Sequence, residues 1–172
     1  MKMAWLKKTR RALASIAVGV LVAAATAQLG NAQLGMDAPA KPRTYVVYAA
    51  EAQIIPASKQ VDLQLRFQIV TGYHINSHTP RSQLLIPTAL SFQPTDGVKP
   101  GTLQYPTGQL YSFPFDPSDK LDVYAGNFTI RVPVTATPGD HTLNATLRYQ
   151  ACDNASCYPP TTLPVKIVFT AK

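Results

Sequence analysis

Cys152 and Cys157 are the only cysteines in this chain, with four residues between them in RYQACDNASCYPP (148–160). Such a pair supports three chemistries: a structural staple, part of a metal site, or a disulfide that is opened and closed. As a staple it would contribute little. A six-residue loop lies at the low end of loop-closure stabilisation, about 2 kcal/mol, and flanking strands would already hold the two residues together. As a zinc site it lacks a second Cys/His pair of suitable spacing. His74 and His78, in HINSH, could add ligands, but on an extended segment their side chains need not converge.

The third chemistry depends on how the thiols are activated. The nearest charge is Asp153, an acid, and no Lys, Arg or His lies inside the loop. A carboxylate beside a thiol disfavours the thiolate, so neither cysteine is a strongly activated nucleophile. These residues favour a resting Cys152–Cys157 disulfide that a partner's thiolate attacks, and that after reduction hands electrons on within a docked complex. The staple and the metal site stay open on this evidence.

Strands must position the pair. Val61, Leu63, Leu65, Phe67 and Ile69 alternate with polar residues, the period-two pattern of a half-buried strand. Phe128, Ile130, Val132 and Val134 repeat it, as do Leu143, Ala145, Leu147 and Tyr149, and then Leu163, Val165, Ile167 and Phe169. Weaker strands are predicted over 45–49, 84–92 and 102–105. Turn signals separate them, among them Gly72, Asp96-Gly97, Gly108, Gly126 and Pro138-Gly139. No stretch keeps helical spacing, and fifteen prolines oppose long helices. The pattern predicts an all-β fold, an antiparallel β-sandwich with a barrel as the alternative. Cys152 and Cys157 then flank the turn 153–156 at one end of a hairpin, where Cα atoms about 4.4–6.8 Å apart permit a disulfide.

The N-terminus predicts the compartment. Lys2, Lys7, Lys8, Arg10 and Arg11 precede an apolar stretch over 12–27 ending in Ala25-Thr26-Ala27, the form of a cleaved secretory leader. A cut after Gly30-Asn31-Ala32 is the alternative to the one after Ala27. The apolar run is short of the ~20 residues of a membrane span, so no span is expected in the mature chain. Arg10-Arg11 hints at export of a folded protein. Residues 28–42 read as a flexible tether and 43–172 as one domain. Loss of the leader leaves eleven basic and nine acidic residues, a net of +2. Nucleic acid and acidic membranes thereby lose their support as partners.

Three segments resemble the N-terminal periplasmic domain of the bacterial thiol–disulfide transporter DsbD. YQACDNASCYPP is similar to that family's active-site segment, in which Tyr-Pro-Pro follows two nearby cysteines. GYHINSHTPRSQLLIPTALSF (72–92) resembles its early strand pair. YPTG…LDVYAGNFTIRVPV (105–134) resembles the strands before the active-site hairpin. The resemblance implies an immunoglobulin-like sandwich in the periplasm that takes electrons from a membrane or thioredoxin-like donor and passes them to periplasmic disulfide proteins, with cytochrome c maturation among the processes served. It implies no cofactor. It makes Cys152 and Cys157 the redox pair and 110–124 a cap loop whose Phe113 or Phe115 shields the disulfide. It also brings Tyr73, His74 and Asn76 near the cysteines, with Tyr158 beside them and a proton-transfer role suggested for His74. The family's full-length protein continues into membrane and thioredoxin domains, so this chain looks like a free-standing version with a separate donor. In a bacterial protein the sequons at Asn127, Asn144 and Asn154 carry no weight. The rival from another class is a non-catalytic binding sandwich with an inert disulfide.

Overall fold

The computed structural model describes residues 44–172; the leader expected over 1–27 and the tether over 28–42 lie outside them. Twelve strands form three four-stranded sheets around one apolar cluster, with no helix among the described residues. The first sheet contains β1 (Val46–Ala49), β3 (Val61–Ile69), β9 (Asn127–Ala136) and β6 (Val98–Pro100), in that order. The second contains β2 (Gln53–Ile55), β12 (Thr161–Ala171), β10 (Gly139–Tyr149) and β5 (Ala89–Phe92). The third, which carries the cysteines, contains β11 (Ala151–Cys152), β4 (His74–Asn76), β8 (Asp116–Ala125) and β7 (Gln109–Phe113).

The period-two pattern is the cause of the core. Leu63, Leu65, Phe67 and Ile69 from β3 and Ile130, Val132 and Val134 from β9 are buried in one cluster with Leu143, Ala145, Leu147 and Tyr149 from β10. Val165, Ile167 and Phe169 from β12 complete it. The expected all-β, immunoglobulin-like sandwich is met, with pairing antiparallel except where β2 lies parallel to β12.

Two expected strands shrink. Of 84–92 only β5 is a strand. The backbone at Ile86 is held by side chains instead, its N–H donating to Gln150 Oε1 at 3.3 Å and its carbonyl accepting from Asn76 Nδ2 at 3.0 Å. Leu84, 91 % exposed, lies in that turn. Over 102–105 only Gln104 is bridged, to Arg131. Pro133 interrupts the edge of β9 there: it has no N–H to offer, and its carbonyl takes the Gly101 N–H at 2.7 Å.

Two single residues pass the chain between sheets. Gly126, at φ +65°, separates β8 in the third sheet from β9 in the first. An L side chain is strained in that conformation, which is why glycine stands here. Gln150 separates β10 in the second sheet from β11 in the third.

Leu147 has no exposed surface and sits on β10 between β12 and β5. Its replacement by alanine is expected to cost about 2–5 kcal/mol, seen as a lower urea midpoint with an unchanged slope.

Candidate functional site

The cysteines sit at the edge of the third sheet. Cys152 ends β11, and Cys157 forms an isolated antiparallel bridge back to it. The two are joined by a disulfide with Cα atoms 3.9 Å apart, closer than the separation expected from the sequence. Asp153 shapes the turn: its Oδ1 accepts from the N–H groups of Ala155 at 2.8 Å and Ser156 at 2.9 Å. The backbone closes on both sides, with Asp153 N–H donating to the Ser156 carbonyl and Tyr158 N–H to that of Ala151. Burial divides the pair sharply. Cys152 has no exposed surface, whereas Cys157 is exposed.

Gln150 fixes where this hairpin leaves the core. Its Oε1 accepts from Asn76 Nδ2 at 3.1 Å as well as from Ile86 N–H, and its Nε2 donates to the Tyr158 carbonyl at 3.2 Å. One amide thus ties β4, the 82–88 turn and the far side of the disulfide loop. On the return arm the Tyr158 ring stacks on Tyr45 with centroids 5.1 Å apart, and Tyr45 packs on Tyr73 at 4.9 Å. The Tyr158 hydroxyl donates to Asp153 Oδ2.

The stretch expected to be a cap loop is a β-hairpin. β7 and β8 pair through Gln109↔Val123, Leu110↔Asp122 and Tyr111↔Leu121, then close by a bulge to Phe113↔Asp116. Alternating Leu110, Ser112 and Tyr111, Phe113 can pair as a strand, and Pro114-Phe115 supplies the tip. The hairpin reaches the cysteine loop: Tyr111 hydroxyl donates to Asn154 Oδ1 at 2.9 Å. The Tyr111 ring lies 4.0 Å from the His74 ring and that of Phe113 6.0 Å from it. Phe115 stacks on Phe113 at 4.9 Å and is 69 % exposed.

His74 stands opposite Cys152 in the ladder between β4 and β11 and is 4 % exposed. Its Nε2 is buried without a hydrogen-bond partner. Burial holds the imidazole pKa below its ordinary 6.5, and the Asp153 carboxylate opposes that shift. His78 is engaged elsewhere, stacked on Tyr105 at 3.7 Å with Nδ1 against the Thr88 carbonyl. Among the described residues no group of three or more His, Cys, Asp or Glu is arranged to hold a metal.

The expected site residues therefore divide. His74 and Phe113 lie together beside β11, with Phe115 stacked behind. Tyr73 and Tyr158 pack with Tyr45, and Asn76 is a hydrogen-bonding anchor. Sequence reading missed Tyr111, Gln150 and Asn154. Tyr111 lies inside the aromatic stretch already singled out; Gln150 gives no local signal beyond its place two residues before Cys152.

Residues 43–168 match the family model described as thiol:disulfide interchange protein DsbD, N-terminal. The chain belongs to this family. No curated protein matches it. Among solved structures, the reduced DsbD N-terminal domain of Neisseria meningitidis is 20 % identical, at a TM-score of 0.43 over 67 % of this chain and 86 % of that one. The complex of the Neisseria DsbD and PilB N-terminal domains gives 19 % and 0.46 over 73 % and 84 %. The N-terminal periplasmic domain of ScsB from Proteus mirabilis gives 13 % and 0.48 over 71 % and 44 %. As a DsbD N-terminal family member, this chain presents a cysteine pair joined in a disulfide, consistent with thiol–disulfide exchange.

The buried imidazole has a consequence for stability. The unfolded chain protonates this histidine near pH 6.5, the folded chain only at lower pH. Between those values the unfolded state binds more protons, so stability falls as pH drops through that window and the penalty levels off below the folded pKa. The melting temperature of the native protein is expected to fall more steeply from pH 7 to pH 5 than that of His74→Gln.

Proposed function

We propose that this chain is a periplasmic thiol–disulfide exchange module that relays electrons from a membrane or thioredoxin-like donor to periplasmic disulfide proteins. The observation carrying this reading is the unequal burial of one disulfide: Cys157 is exposed and Cys152 is not. Attack is governed by access as well as by leaving-group chemistry, and access favours Cys157. A donor thiolate bonds to Cys157 Sγ, and the Cys152–Cys157 bond breaks with its electron pair leaving on Cys152. The donor's second thiolate then attacks the donor sulfur of the mixed disulfide, so that the donor leaves oxidised and both cysteines are reduced. Passing the electrons on runs the same steps in reverse, with Cys157 attacking the acceptor's disulfide and Cys152 closing the pair. The hairpin of β7 and β8, held to the cysteine loop through Tyr111 and Asn154, serves as the cap. Phe113 is its inner aromatic and Phe115 its exposed one.

The short loop supports exchange over stapling, because it contributes little to folding while the strands on either side already hold its ends. Family membership supports a protein partner of thioredoxin-like kind. Periplasmic residence rests on the leader-like N-terminus and on the family.

Equilibration against glutathione and dithiothreitol is expected to give a potential of roughly −200 to −270 mV, the range of exchanging dithiols. A value below about −300 mV, where structural disulfides lie, would replace the relay with an inert binding sandwich. Cys152→Ser is expected to accumulate a mixed disulfide through Cys157 in periplasmic extract, and Cys157→Ser to accumulate almost none. Equal trapping by the two variants would reverse the assignment of the attacked sulfur.

A further inference from the structure

The outward face of the first sheet carries a row of polar side chains that neither the core nor the cysteine site uses. Gln64 on β3 lies opposite Arg131 on β9, and Gln104 is bridged to Arg131 from the other side. Residues directly opposite in a ladder hold their side chains on one face, with Cβ atoms about 4.5–5.5 Å apart. Arg131 is therefore flanked by two glutamines, and Thr129 and Asn127 share its face at the period of two. Together with Gln109 these residues line a cavity of about 610 Å³, walled by 105–107 and the end of β8. The wall is held in place by Tyr124, whose hydroxyl donates to the Pro106 carbonyl at 3.0 Å and accepts from the His78 N–H at 3.1 Å. Such a volume is that of a small-molecule site, about 300–1,000 Å³.

The backbone along this row is already engaged. The Gln53 side chain accepts from the Gln64 N–H at 2.9 Å and donates to the Gln64 carbonyl at 3.2 Å. Gln104 and Arg131 exchange both of their backbone bonds at 3.0 Å. Recognition therefore falls to the side chains, and these are unspent. Among the described residues the side chains of Gln64, Gln104, Gln109, Asn127, Thr129 and Arg131 make no hydrogen bond or ion pair. Arg66, opposite Thr129 on the same face, is by contrast paired with Glu51. No described Asp or Glu lines the cavity, so its one guanidinium is unbalanced.

We propose that this cavity binds a small hydroxylated carboxylate, a sugar acid in ring or open-chain form. The Arg131 guanidinium takes the carboxylate through two parallel N–H donors, a geometry that a planar fork supplies. The amides decide the rest of the ligand. Each presents a carbonyl acceptor beside an NH2 donor, and a hydroxyl, which both donates and accepts, satisfies either. An inorganic anion offers acceptors and would leave the carbonyl oxygens of the amides unmet. A neutral sugar would leave the guanidinium without a counter-charge. The site is independent of the disulfide and of its exchange steps.

Titration of the isotope-labelled native protein with glucuronate and with gluconate tests this, read from side-chain amide and arginine Nε–H resonances. At millimolar concentration either acid is expected to shift the signals of Gln64, Gln104, Asn127 and Arg131 together. Glucose and acetate, which carry the hydroxyls and the carboxylate separately, are expected to bind about tenfold or more weakly. Arg131→Gln is expected to weaken both acids by a similar factor. Arg66→Gln removes a charge from the same face outside the cavity and is expected to leave their binding unchanged. No shift with either acid, or undiminished binding by Arg131→Gln, would overturn the proposal. So would acetate or phosphate binding as tightly as the acids, which marks an unspecific anion site, or equal weakening by the two arginine variants, which marks general surface charge.

Discussion

The Gln150 amide is the constraint on which the site depends. The chain must leave a sheet built for burial and enter one that presents chemistry, and it does so across a single residue. At such a crossing the ladders on both sides stop, and backbone groups that lose their partners must find others. Gln150 meets this need for two backbone groups, accepting from the Ile86 N–H and donating to the Tyr158 carbonyl, and it also accepts from the Asn76 side-chain amide. Beside these bonds β11 pairs with β4, which sets Cys152 opposite His74. The 82–88 turn and the return arm of the cysteine loop are tied to β4 through this one amide.

From that placement comes the inequality between the two sulfurs. β11 runs into the core and carries Cys152 with it, while the Asp153 turn brings Cys157 back to the surface. Two thiols of the same intrinsic chemistry are thereby separated into one that a partner can reach and one that it cannot. Burial also holds the pKa of the neighbouring His74 imidazole below its ordinary value. Tyr158 on the return arm packs with Tyr45 and Tyr45 with Tyr73, so the turn is anchored by ring packing as well as by its own backbone bonds.

Legibility in the sequence followed the length of the pattern. β3, β9, β10 and β12 each run nine to eleven residues, long enough for alternation to stand out. β4 was invisible because its three residues are all buried; with neither face wet there is no alternation to read. The first five residues of β8 are exposed and include Pro117, which read as loop and hid the hairpin that replaces the expected cap loop. The cysteine pair was legible for the opposite reason. Its chemistry is local, carried by spacing, by a single neighbouring acid and by the Tyr-Pro-Pro that follows.

The sequence alone determined the long strands, the all-β class and the residues of the disulfide, because each rests on interactions between near neighbours or on a repeat along the chain. Tertiary structure decided which sulfur is exposed, that His74 rather than His78 meets the pair, and that Tyr111 reaches Asn154 across 43 residues. These depend on strand order and register between segments far apart in the chain. Cys152 and His74 are brought together only when β11 pairs with β4, and no local preference of either segment specifies that pairing.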